Sequence, residues 1–193
     1  GETEGASSNS YVDSSVFYGG VYCYMVVTVW PDGAVSYASE EFCDTVNKEV
    51  PVMTKVSIGV TDLLTGVDTI HWSKPTDLDT ALFPGPYVYA LFHGANGNTA
   101  NEVIYTSPVF SVLEDGDTTF IHTALNTFEY GHRYRVEIQS QSTAQTAQSA
   151  TAASIHLGLI PGDNSVTLNM GADVPWANYR YHIYRKDPGA SEF

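Results

Sequence analysis

Apolar and polar residues alternate singly along much of the chain. In PYVYALFHG (Pro86 to Gly94), Tyr87, Tyr89 and Leu91 fall on one face and Val88, Ala90 and Phe92 on the other. A period of two belongs to a strand. The run FYGGVYCYMVVTVWPDGAVSYASEEFCDTV (Phe17 to Val46) reads as two strands joined at Pro31, Asp32 and Gly33. There proline fixes φ, aspartate offers an acceptor and glycine is free to take positive φ. TIHWSKP (Thr69 to Pro75) and LNTFEYGHRYRVEI (Leu125 to Ile138) add further strands, and no segment carries a helical period. One sheet leaves a face uncovered, so about seven such strands close as two packed layers. The pattern predicts an all-β protein.

Composition narrows the partners. Apolar residues make up 43% of 193 positions, enough for a real core, and 13 tyrosines favour strands. Twenty-two acidic against 8 basic residues give a formal charge of −14. That surface repels phosphate backbones and anionic headgroups, so nucleic acid is not an expected partner. The opening GETEGASSNS lacks the basic start and apolar run of a signal peptide, and the apolar-rich stretch from Tyr22 to Trp30 is too short for a membrane span. A soluble chain without membrane insertion is expected.

Two kinds of segment recur. Tyr18, Gly19 and Tyr22 correspond to Tyr130, Gly131 and Tyr134. The strand, Pro-containing loop and Tyr-x-Tyr strand that begin at Asp68 return from Asn164. Their order implies three modules: residues 1–47 the end of one, 51–148 a complete one, and 152–193 the start of another. The small polar run SQSTAQTAQSATA (Ser140 to Ala152) reads as a last strand entering a short linker.

These segments resemble the fibronectin type III family. TIHWSKP is similar to its second strand, YVYALF (Tyr87 to Phe92) to its third, and LNTFEYGHRYRVEI to its sixth. More closely, the VWPDGAVSYASEEFC turn and the SKPTDLDTALFPGPYVYALF loop resemble repeats of large proteins exported by gliding Bacteroidota through the type IX secretion route. The resemblance implies tandem immunoglobulin-like (fibronectin type III) β-sandwich modules. It implies a structural core of Trp72, Tyr89, Leu125 and Tyr134, with Tyr22 the counterpart of Tyr134. It also implies that the Tyr134 hydroxyl ties back to the preceding loop as a tyrosine corner.

Candidate chemistry is sparse. Cys23 and Cys43 lie at nearly equal distances on either side of Asp32, opposite one another once a bulge or slip in register is allowed. A disulfide there closes a loop of about 20 residues, stabilises by ~3 kcal/mol in the chain-entropy model, and persists outside a reducing cytosol. The alternative is two unpaired buried thiols. The histidines His71, His93, His122, His132, His156 and His182 show no metal-ligand spacing and read as surface or strand-edge residues. No Gly-x-Ser-x-Gly elbow or phosphate loop occurs. Asp77 and Asp79 in one loop, and Glu114, Asp115 and Asp117 in another, are weak calcium candidates that read more simply as solvated turns. Trp176 and Tyr179, with Trp30 and Tyr181, could form an aromatic platform for sugars; the plainer reading has tyrosines in the core and Trp176 covering one end.

The expected function is accordingly non-catalytic and cofactor-free: a spacer and protein-interaction segment of a large exported protein, extracellular or at the cell surface in association with the outer membrane. Its expected partners are envelope proteins or neighbouring modules of the same parent chain, with inter-chain completion of the partial modules as one arrangement. A carbohydrate-binding or adhesion module is the alternative.

Overall fold

The computed structural model describes residues 10–13, 16, 21–46, 49–171, 173–176 and 180–190. Among these the chain is all-β, with one 3-10 turn at Leu113–Asp115 and no α-helix. A hairpin of β1 (Val21–Tyr24) and β2 (Phe42–Thr45) comes first. The central sandwich follows: β3 (Val52–Val60), β4 (Gly66–Ser73), β5 (Tyr87–Ala95), β6 (Glu102–Thr106), β7 (Thr119–Leu125), β8 (His132–Ser140), β9 (Thr146–Gln148) and β10 (Ala152–Ala153). A second hairpin, β11 (His156–Gly162) and β12 (Ser165–Gly171), ends the series.

The central strands form two antiparallel sheets, β3-β4-β7 and β10-β8-β5-β6, with β9 also paired to β8. This is an immunoglobulin-like strand order in which the fourth strand has joined the sheet of the third and sixth. The Ser140–Ala152 run supplies the last edge of that sheet: Ala152 and Ala153 pair with Tyr134 and Arg133, so the central sheet runs on to Ala153.

Strand parity decides what the sheets enclose. On β4 every second residue is buried, from Gly66 through Asp68 and Ile70 to Trp72; on β8 the same holds from His132 through Tyr134, Val136 and Ile138 to Ser140. Met53 and Val56 from β3, and Tyr87, Tyr89 and Leu91 from β5, complete an apolar core with Phe110. Trp72 meets Tyr89 edge-on at 5.8 Å, and Tyr89 lies 5.1 Å from Phe110, arrangements that add to area burial. Gly116 sits against these rings because a Cβ there would come within 2.7 Å of Tyr89. Trp72, Tyr89, Leu125 and Tyr134 are all buried. Tyr22 is half-buried on β1 opposite Asp44, in a two-stranded ribbon too small to enclose it.

Candidate functional site

The same parity that buries Ile70 and Val136 carries titratable side chains inward at one end of the sandwich. Asp68 enters from β4, His93 from β5, His122 from β7, and His132 and Tyr134 from β8. Asp68, Tyr134, His132 and His93 are buried, at 0%, 0%, 2% and 7% exposure. His93 stacks on His132 with ring centres 5.1 Å apart and meets His122 edge-on at 4.8 Å. The structure therefore corrects the surface or strand-edge reading for His93 and His132, which point inward from neighbouring strands of one sheet.

Hydrogen bonding fixes the tautomers. His132 Nε2 lies 3.1 Å from the carbonyl oxygen of Asn126, which only accepts, so that nitrogen carries the hydrogen. His132 Nδ1 then bears a lone pair and accepts from His93 Nε2 at 2.9 Å. On the other branch Tyr134 donates to Asp68 Oδ2 at 2.9 Å, which leaves its oxygen to accept from His122 Nδ1 at 3.2 Å. The remaining oxygen, Asp68 Oδ1, makes no hydrogen bond within the usual distance and angle limits. Burial drives His93 down to about 4, helped by His122 and His132 and weakly opposed by Glu102. It lowers His122 too, with His132 adding to the effect. Burial raises Asp68 against the opposing pull of Tyr134, His132 and Ser154. The Tyr134 phenol is raised by burial and then by the Asp68 carboxylate.

Tyr134 thus departs from the expected tyrosine corner. Its hydroxyl crosses to Asp68 on the facing sheet, and the loop before β8 is held by His132 through the Asn126 carbonyl. The cause is register: Tyr134 stands two residues inside β8, above Asp68, whereas His132 begins the strand beside the loop.

Cys23 and Cys43 are direct register partners and form a disulfide, with Cα atoms 3.9 Å apart. The expected bulge lies between Tyr24↔Phe42 and Val29↔Val35, where residues 25–28 face the longer segment 36–41. Two serines absorb the excess. Val26 and Thr28 donate their N–H groups to Ser39 Oγ and Ser36 Oγ at 2.9 Å, and their carbonyls accept those serines' backbone N–H groups. The sandwich repeats the device with Ser107 on Tyr89, Ser149 on Val136 and Ser154 on His132.

The remaining candidates do not assemble. Among the described residues, only Cys23, Glu41 and Cys43 bring three potential ligand atoms together, and the disulfide consumes both sulfurs. Asp79 Oδ1 accepts from the Ala81 and Leu82 amides, and Asp117 accepts from the Tyr105 hydroxyl at 2.6 Å. Neither Asp77 nor Asp115 joins them in a ligand group. Trp176 packs against the core beside Val56 rather than standing free, and Tyr179 lies outside the described residues, as does Tyr18 of the recurring segment.

Both hairpins leave large apolar side chains open to solvent: Val21, Phe42, Val29 and Val35 on the first, Leu157, Leu159 and Val166 on the second. No described helix is long and apolar enough to cross a membrane. No protein-family model and no curated protein sequence matches the chain.

Proposed function

We propose that the chain is a non-catalytic structural segment of a large exported cell-surface or secretion-associated protein, acting as a spacer and as a docking surface for protein partners. The observation that carries this reading is the pair of two-stranded ribbons flanking a closed sandwich, each with apolar side chains exposed. Isolated ribbons are marginally stable in water, and exposed apolar faces and unpaired strand edges favour pairing with further β-structure. The recurring segments support reading 1–47 and the chain after Ala153 as parts of fibronectin type III-like modules on either side of a central one that runs to Ala153. The partners are then neighbouring modules of the same parent chain or proteins of the cell envelope. The disulfide supports an oxidising location, and the resemblance supports type IX export in a gliding member of the Bacteroidota.

Site-specific photo-crosslinking in cells that make the parent protein tests this. A photoactivatable residue at Val29 or Leu159 should give a discrete product with an adjacent module or an envelope protein, and protease added to intact cells should remove the segment. Absence of discrete products at both positions, or protection from the protease, overturns the reading.

A further inference from the structure

We propose that the buried histidine cluster is a proton-operated latch on the joint between the sandwich and the C-terminal hairpin: neutral, it holds Ser154 and the start of β11 against β8, and loaded with protons it releases them. His132 is the pivot. Its backbone N–H donates to Ser154 Oγ at 2.9 Å and its carbonyl accepts the Ser154 N–H at 2.8 Å. Ser154 lies between β10 and β11, so it is the hinge residue of the joint. The ring of the same histidine ties the loop before β8 through Asn126 and ties β5 through His93. One residue therefore couples the protonation state of the cluster to the seating of the hinge.

An additional proton has few places to go. Both His93 Nε2 and His132 Nε2 already carry hydrogen, and a proton on His132 Nδ1 would break its bond to His93. His93 Nδ1 is open, 4.0 Å from the Glu102 carboxylate on β6. His122 on β7 can take a proton on Nε2. Either event places a cation within about 5 Å of neighbouring imidazoles, measured between ring centres, in a space shielded from solvent.

The opposing charges are unequal to this. Among the described residues Asp68 on β4 is the one buried carboxylate facing the cluster, while the Glu102 side chain is 78% exposed. Glu129 in the loop before β8 hydrogen-bonds Asn126, and Arg133 on β8 pairs with Asp173 across the joint at 2.9 Å. His156 opens β11 beside Gly131 and lines a cleft of about 320 Å³ together with Glu129, Arg133, Ser154 and Asp173. The cleft gives the hairpin room to move once the hinge is freed.

Two measurements on the wild-type chain test the latch: NMR titration of the His93 imidazole, and amide hydrogen exchange from pH 7.5 to 4.5 corrected for intrinsic rates. His93 should remain neutral well below the ordinary histidine range. Between pH 6.5 and 4.5 protection at Ser154 to Leu157 should fall about tenfold further than at Ile70 and Trp72. A His93→Gln variant, whose amide still donates to His132 but takes up no proton, should flatten that fall. Uniform loss of protection across both sheets overturns the latch, as does an unchanged local fall in His93→Gln. If that variant does not fold, a wild-type His93 titrating at or above its ordinary value overturns it.

Discussion

Tyr134 and Asp68 face each other across the two sheets, with the phenol donating to Oδ2 at 2.9 Å while Oδ1 has no partner. The Tyr134 bond therefore reaches only one oxygen of a carboxyl that is fully enclosed. Tyr134→Phe removes it and leaves the carboxyl unpaired, so the loss should approach the desolvation cost of a buried polar group, about 2–3 kcal/mol. Urea unfolding should report it. In the Asp68→Asn background the same substitution should cost clearly less, because no buried carboxyl is stranded; equal losses in both backgrounds would mean that the bond contributes little.

Five serines use one arrangement in two environments, which separates the bond from its burial. Ser107→Ala deprives the buried Tyr89 N–H of its acceptor, and Ser36→Ala deprives the exposed Thr28 N–H. Water replaces the second but not the first. The expected losses are about 1–3 kcal/mol for Ser107→Ala and under about 0.5 kcal/mol for Ser36→Ala, both read from denaturant midpoints.

The disulfide closes its loop within the N-terminal hairpin, and both cysteines precede the first sandwich strand. Reduction, or a Cys23→Ser/Cys43→Ser pair, should therefore release up to ~3 kcal/mol from the ribbon alone. Exchange protection should fall at residues 21–45 while the main unfolding transition, which reports the sandwich, stays in place. A comparable drop in both would place the hairpin within the same cooperative unit.

Much of the fold could be read from residue order because burial in strands has a period of two. HRYRVEI identifies a buried face, YVYALFH is a strand buried on both sides from Tyr87 to Leu91, and Pro31 to Gly33 marks a turn. The disulfide follows from the same reading, which allows a bulge or a slip in register between the cysteines, and the structure has its extra residues between Val35 and Phe42. The histidine cluster is legible in the same parity, though not in residue type. His93 follows Tyr89 and Leu91 at alternate positions, His132 precedes Tyr134 and Val136, and Asp68 precedes Ile70 and Trp72, so all three fall in the inward phase. Residue type alone puts histidine and aspartate outside, whereas their position in the alternation puts them inside. What alternation could not supply is which inward residues meet, since His93 and His132 come together only through the β5 to β8 register.

The acid response of the whole chain combines two shifts of opposite sign. His93 has a folded value near 4 against an ordinary 6.5, so the folded state binds fewer protons than the unfolded one between those limits. Its contribution is present above pH 6.5 and is lost as pH falls toward 4, by at most about 3 kcal/mol. His122, also lowered, acts in the same sense. Asp68 is raised above 3.8, so there the folded state binds the proton more readily, and stability is regained as pH falls through that interval. Asp68→Asn removes the compensation while its amide oxygen can still accept from Tyr134. The variant should match or exceed the wild type at pH 7 and lose more stability by pH 4.5, as judged by urea midpoints at each pH. A smaller acid loss in Asp68→Asn would mean that the aspartate, rather than the histidines, sets the acid limb.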